Sequence, residues 1–270
     1  MKWTRAGSLV LTAAVAATLV AAATGSWAGD ELPFKEAQFF IEYNSSAGDT
    51  GVQVFLDDDN WRRITISDPD DHVLFTVKGQ SQLGRQGLTE LFFESVEPEL
   101  ADLPIVEFLE RFPEGAYEFE GIRNDGIDLE SEVEFTHVIP CGPEVTPEEG
   151  EVLNRRRIEI GWDEVTQVVD PVQTDAAGET VCVDPGYLGQ ELWIDTYQVI
   201  VENDDIHLIV DLPADARQLT VPPELLEENT AYKFEVLAKE ESGNQTITES
   251  FFCTGPGLSP EECEDLADAL

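Results

Sequence analysis

Residues 225–238, Leu-Leu-Glu-Glu-Asn-Thr-Ala-Tyr-Lys-Phe-Glu-Val-Leu-Ala, constrain the fold more than any other stretch of the chain. They read as a tight corner followed by a strand in which Tyr232, Phe234, Val236 and Ala238 alternate onto one face. A tyrosine entering a strand just after a corner can bury its ring and turn its hydroxyl back to an upstream backbone group, locking two sheets together. The expectation is a β-sandwich in which Tyr232 serves stability rather than binding.

The neighbouring segments keep the same period. Residues 155–162 alternate and end in Trp162, and 194–201 place Tyr197, Val199 and Val201 on one face. Shorter strands are expected at 206–210 and 218–221, and a turn at 240–244 leads into a last strand at 245–252. Short strands separated by turn signals fit a sandwich. Over 141–254 the chain resembles a fibronectin type III domain. The resemblance rests on Ile158-x-Ile160-x-Trp162, on Tyr197-x-Val199-x-Val201, and on Leu226 with Thr230-x-Tyr232-x-Phe234-x-Val236-x-Ala238; residues 143–150 resemble the usual first strand. It implies a two-sheet sandwich with Trp162, Tyr197 and Tyr232 as structural residues. The chain departs from the family in the connection from Trp162 to Ile194, which is far longer than a usual strand connection and holds Cys182. Fibronectin members use an Arg-Gly-Asp loop for cell adhesion; this chain has none, so that function does not carry over.

The preceding unit, 29–140, is also β-rich. Strands are expected at 37–43, 51–56, 61–66 and 72–77, with Asp57-Asp58-Asp59-Asn60 and Asp68-Pro69-Asp70-Asp71 as hairpin turns. Residues 103–112 predict a helix, with proline in the first turn and Pro113 just after the end. Strand pattern returns at 116–121 and 129–138. The run Ile139-Pro140-Cys141-Gly142-Pro143 cannot continue regular pairing, so the boundary is expected between residues 140 and 146. The reading is all-β: two tandem β-sandwich domains, 29–140 with one crossing helix and 141–254 fibronectin type III-like, then an acidic tail at 255–270.

Lys2 and Arg5, an apolar run at 8–23 and Ser26-Trp27-Ala28 mark residues 1–28 as a secretory signal peptide. The run is short for a membrane span, and no later stretch is apolar enough to cross a bilayer. A secreted or periplasmic location follows, without membrane insertion after cleavage. The chain carries 56 acidic and 15 basic residues, a net charge of −41, and losing Lys2 and Arg5 makes the mature protein more negative still. Such a surface repels nucleic acid and anionic headgroups and attracts cations weakly. The acids are spread along the whole chain, as a soluble surface in salt would have them.

In an exported chain the four cysteines, Cys141, Cys182, Cys253 and Cys263, imply two disulfides. No Cys-x-x-Cys motif occurs and the only histidines are His72, His137 and His207, which argues against structural zinc. In a seven-stranded sandwich of this kind the chain enters at one pole and the connection after the second strand returns there. The last strand leaves at the opposite pole. The expected pairs are therefore Cys141–Cys182 and Cys253–Cys263.

Candidate chemistry is thin. Asp57, Asp58, Asp59 and Asn60, with Asp49 and Asn44 nearby, have the oxygen ligands calcium wants. They lack the glycine and distal glutamate of an EF-hand loop, and a solvated turn is the plainer reading. Glu90 and Glu94 share a face if 89–95 is helical, with Glu97 close, but a charged surface again suffices. There is no Gly-x-Ser-x-Gly elbow and no cofactor motif. Trp61 and Trp193 are either packed or exposed platforms for sugar stacking. The expected function is that of an exported, non-catalytic binding or structural protein for a protein or glycan. The alternative is a secreted hydrolase, or a hydrolase accessory protein, with acidic residues of the first domain at work. An exposed aromatic row would favour the first, and buried carboxylates facing a cleft the second.

Overall fold

The computed structural model describes residues 31–174, 180–255 and 257–270; the expected signal peptide at 1–28 lies outside them. β1 (Glu36–Asn44) turns Phe39, Ile41 and Tyr43 inward, and β2 (Asp49–Ser67) answers with Val52, Val54 and Leu56 across an antiparallel register. β3 (Val73–Lys78), a short helix α1 (Ser81–Gln86), β4 (Leu88–Glu94), helix α2 (Ile105–Arg111), β5 (Gly115–Arg123) and β6 (Asp128–Phe135) complete the first unit. α2 buries Ile105, Phe108 and Leu109 in the same core, the expected crossing helix.

Two local expectations are corrected. The run at 57–60 is not a hairpin turn but a bulge inside β2, a single strand of 19 residues. Asn60 takes a left-handed φ of 55°, and its side-chain oxygen accepts from Asn124 Nδ2 at 2.9 Å. The bend lets the first half of β2 pair with β1 and β4 while the second half pairs with β3 and β5. One strand thus contributes to both walls of the core, which the turn-forming aspartates disguised. Likewise 89–94 belongs to strand β4 rather than a helix, because Leu91 and Phe93 alternate onto the core.

The second unit runs β7 (Val145–Thr146), β8 (Glu151–Leu153), β9 (Glu159–Trp162), β10 (Val168–Thr174), β11 (Thr180–Val183), helix α3 (Pro185–Leu188), β12 (Ile194–Glu202), β13 (His207–Pro213), β14 (Gln218–Thr220), β15 (Thr230–Glu240), β16 (Gln245–Thr254) and helix α4 (Pro260–Ala267). The sheet portion β13-β12-β15-β16 packs on the small sheet β14-β9-β7. Ile158, Ile160 and Trp162 meet Tyr197, Val199, Val201, Phe234, Val236 and Phe252 between them. The fold is all-β, and this unit is the expected two-sheet sandwich. Tyr232 is 1% exposed, and its hydroxyl accepts from the Glu227 amide at 2.7 Å, which makes the corner. Tyr197 is buried likewise, accepting from the Val165 amide at 3.1 Å.

Both disulfides, Cys141–Cys182 and Cys253–Cys263, are formed. The tail is not featureless: Ser259 and Glu262 cap α4, which buries Cys263 and Ala267 against Ala231 and Cys253. The overlong connection supplies the β10–β11 hairpin. Val169 of this hairpin enters the first core, and Thr180 hydrogen-bonds Tyr43 at 2.7 Å. Finally, β1 pairs in parallel with β16, from Glu42↔Gln245 to Asn44↔Ile247. A single sheet therefore crosses both units in the order β13-β12-β15-β16-β1-β2-β5-β6.

Candidate functional site

Side chains alternate across a strand, so the sheet from β12 to β4 turns one face to the two cores and the other outward. The outward residues fall into rows by register. One row runs Thr196, Lys239, Gln245, Glu42, Gly51; the next toward β4 runs Phe40, Gln53, Glu94; a third runs Gln38, Phe55, Phe92. On the second unit Gln198, Leu237, Ile247 and Asn44 form a further row. A cleft of about 500 Å3 lies over this face, lined from both units.

Its chemistry concentrates at Glu42. The carboxylate oxygens of Glu42, Glu94 and Glu97 lie within 4.8 Å of one another. Glu97 reaches the group because Gly51, opposite Glu42, has no side chain: a Cβ there would come within 2.7 Å of Glu97 Cγ. One Glu97 oxygen, Oε1, is buried with no hydrogen-bond partner. Gln245 Nε2 donates to Glu42 Oε2 across the β1–β16 pair. Burial pushes the Glu42 carboxyl up to about 7; the Gln245 bond opposes this, while repulsion from Glu97, Glu94 and Glu235 adds to it. Burial, then Asp49 and Glu94, raises Glu97 as well. Across the face Glu235 also rises to about 7, from burial first and then from Glu249 and Glu202. Burial lowers Lys239. Gln53, the cross-strand neighbour of Glu94, is 7% exposed and lines the same cleft. Phe92 stands 58% exposed at the rim.

The residues singled out from the sequence are distributed differently. Asp59 pairs with Lys35 at 2.7 Å and Asp58 lies 3.9 Å from Arg123, so the aspartate run is held by cations of the protein itself. Asn44 is bonded to Glu249 and to the amides of Ser46 and Ala47. Glu90 faces Asp57 across the β2–β4 pair, apart from Glu94 and Glu97. Trp61 and Trp162 are core residues; Trp193 is 63% exposed. His72 and His207 pair with Asp68 and Glu202, and the His137 ring meets the Phe112 carbonyl at 2.7 Å. Glu42, Gln53 and Gln245 escaped the sequence reading. The alternation of 37–43 does put Gln38, Phe40 and Glu42 on one side of a strand. Their meeting with β16, however, depends on a contact some 203 residues away along the chain.

No protein-family model matches the chain, and no curated protein matches it. Solved structures that resemble it include the FN1–FN3 domains of chicken CNTN1, with a TM-score of 0.25 and 10% identity over 84% of this chain and 66% of that one. A 1.5-MDa bacterial ice-binding adhesin gives a TM-score of 0.25 and 10% identity over 83% and 66%. The BSP domain of a biofilm-associated protein gives 0.23 and 13% over 83% and 30%. The chain thus spans about two thirds or less of the length of these proteins. Likeness this loose carries no argument, and the fold stands on its own strand pairing.

Proposed function

We propose that this is an exported, non-catalytic binding protein that takes a glycan on the outward face of the shared sheet. The observation that carries the reading is a cleft lined from both units by planar side-chain amides and rimmed by exposed Phe92. Sugar rings offer an apolar C–H face to an aromatic ring and hydroxyl pairs to planar amides and carboxylates. Gln38, Gln53, Gln198 and Gln245, with Phe55 and Phe92, supply both kinds of partner. Two disulfides fit a chain that matures in an oxidising compartment, which supports secretion or a periplasmic location. The net charge of −41 disfavours nucleic acid and anionic lipid as ligands.

A glycan array probed with the mature protein tests the proposal. Saturable binding to at least one glycan class, weakened about tenfold or more in Phe92→Ala, is the expected result; for scale, tenfold corresponds to about 1.4 kcal/mol. An array without signal sinks it and leaves a protein ligand as the competing answer.

A second reading has its own observation. A Glu42 carboxyl pushed up to about 7, with the carboxyl oxygens of Glu94 and Glu97 within 4.8 Å, offers the paired carboxyl groups that glycoside hydrolysis uses. Release of reducing sugar from a bound glycan, abolished in Glu42→Gln, would replace binding by hydrolysis; binding without turnover supports the first reading.

A further inference from the structure

We propose that β3 pairs antiparallel with the β3 of a second copy of the chain about a two-fold axis, forming a weak dimer through this sheet edge. β3 is hydrogen-bonded to β2 alone, and no strand lies on its other side among the described residues. Its two ends carry opposite charge. The turn that leads into it, Asp68-Pro69-Asp70-Asp71, leaves Asp70 and Asp71 exposed. At the far end Lys78 stands directly opposite Arg63 of β2. Beside them the Gly79 amide donates to the Arg62 carbonyl at 2.9 Å, and Arg85 follows on α1. The four basic side chains are exposed too. None of these six acidic and basic groups forms an ion pair among the described residues.

Like charges directly opposite one another weaken a sheet. The Arg63–Lys78 pair is left that way in a chain of 56 acidic and 15 basic residues. The two ends do not cancel within one copy. The six residues of β3 span about 20 Å, whereas exposed charges act over roughly 8 Å in physiological salt. An antiparallel copy sets the acidic end of each strand against the basic end of the other, twice by symmetry. A parallel copy would set like against like. Val73 and Leu74 are 62% and 42% exposed, and the same pairing takes them out of water. The net charge of −41 repels copies at long range, but screening leaves the nearest charges to decide at contact. The other edges lack this match. β6 carries Asp128, Glu130, Glu132 and Glu134 at alternate positions and has Leu32 bonded along its edge. β4 carries only Glu90 and Glu94, and β13 closes on Asp211 and Pro213. Such acids and prolines keep edges apart.

No residue of β3 lines the cleft assigned above to a glycan, so dimer formation and glycan binding succeed or fail separately. The test is sedimentation of the disulfide-intact mature chain in about 0.15 M sodium chloride, where long-range repulsion is screened. One strand edge is a small interface, so the concentration series should rise to about 1 mM. A reversible monomer–dimer equilibrium is expected. Arg63→Glu with Lys78→Glu should weaken it about tenfold or more, and so should Asp70→Lys with Asp71→Lys. All four substitutions together reverse the polarity of the edge, keep the net charge, and should restore the dimer. Asp211→Asn on β13 should leave it unchanged. The four substituted side chains are exposed, so the variants keep the fold. A chain that stays monomeric throughout, a dimer indifferent to either double variant, or a fourfold variant that fails to dimerise overturns the proposal.

Discussion

The Asn244 side-chain oxygen accepts a hydrogen bond from the Ile41 amide at 2.7 Å, joining residues 203 apart in the chain. Its Nδ2 donates to the carbonyls of Thr136 and Val138, each at 3.0 Å, and the residue is 1% exposed. One amide in the turn between β15 and β16 thus satisfies backbone groups of the first unit where β1 approaches β16. Thr246 adds a hydroxyl bond to the Pro140 carbonyl. Asn244→Ala would leave an amide and two carbonyls buried without partners, and should cost about 2–4 kcal/mol. Hydrogen exchange should accelerate at residues 41–44 of β1 more than in β12. Uniform acceleration across the molecule would mean that Asn244 is not the fastening of the seam.

Tyr232→Phe removes the acceptor for the Glu227 amide and leaves the ring in place between Phe252 and the rest of the core. A loss of about 1–3 kcal/mol is expected in chemical denaturation, with no effect on ligand binding, because the side chain faces the second core. An unchanged midpoint would show that the corner bond adds nothing.

The two disulfides should differ in their reach. Cys141–Cys182 closes a sequence separation of 41 and tethers the β10–β11 hairpin whose Val169 fills the first core. Chain entropy gives it roughly 4 kcal/mol, against roughly 3 kcal/mol for the separation of 10 closed by Cys253–Cys263. The double variant Cys141→Ser with Cys182→Ser should therefore lower the thermal midpoint more, and its exchange should rise around Tyr43 and α2. The reverse ranking would refute the role given to the hairpin.

Stability should rise as the solution is acidified from pH 8 toward about 5. Glu42 and Glu235 both titrate near 7 in the folded protein, above the 4.5 of a free glutamate. The folded state therefore binds more protons between those values, and stability is lost as pH rises through 7. After allowance for solvent screening, the two groups together should contribute roughly 1–2 kcal/mol. Asp59, Asp68 and Asp170 are lowered, so their contribution is lost only on further acidification, below the normal aspartate range. A thermal midpoint that is flat or falls between pH 8 and 5 would contradict this ordering.

Much of the second unit was legible because its information is local. Tyr232 follows a corner within a few residues, Trp162 and Tyr197 sit at strand positions that alternation defines, and chain polarity defines the disulfide partners. The first unit was less so. Aspartates favour turns, yet Asp58 and Asp59 are held by Arg123 and Lys35, and that pairing converts a hairpin signal into a bulge. The cleft was the least legible, since Glu42 meets Gln245 only through the parallel β1–β16 pair. Parallel pairing between the first and last strands of two units leaves no turn signature in the sequence.

The central claim is that one binding face is built by both units, and amide NMR of the labelled mature chain tests it most directly. On titration with the strongest glycan from the array, the account predicts shifts in one contiguous patch spanning Gln198 and Leu237 of the second unit and Phe40, Gln53 and Phe92 of the first. Shifts confined to one unit, or centred on exposed Trp193 instead, would contradict it.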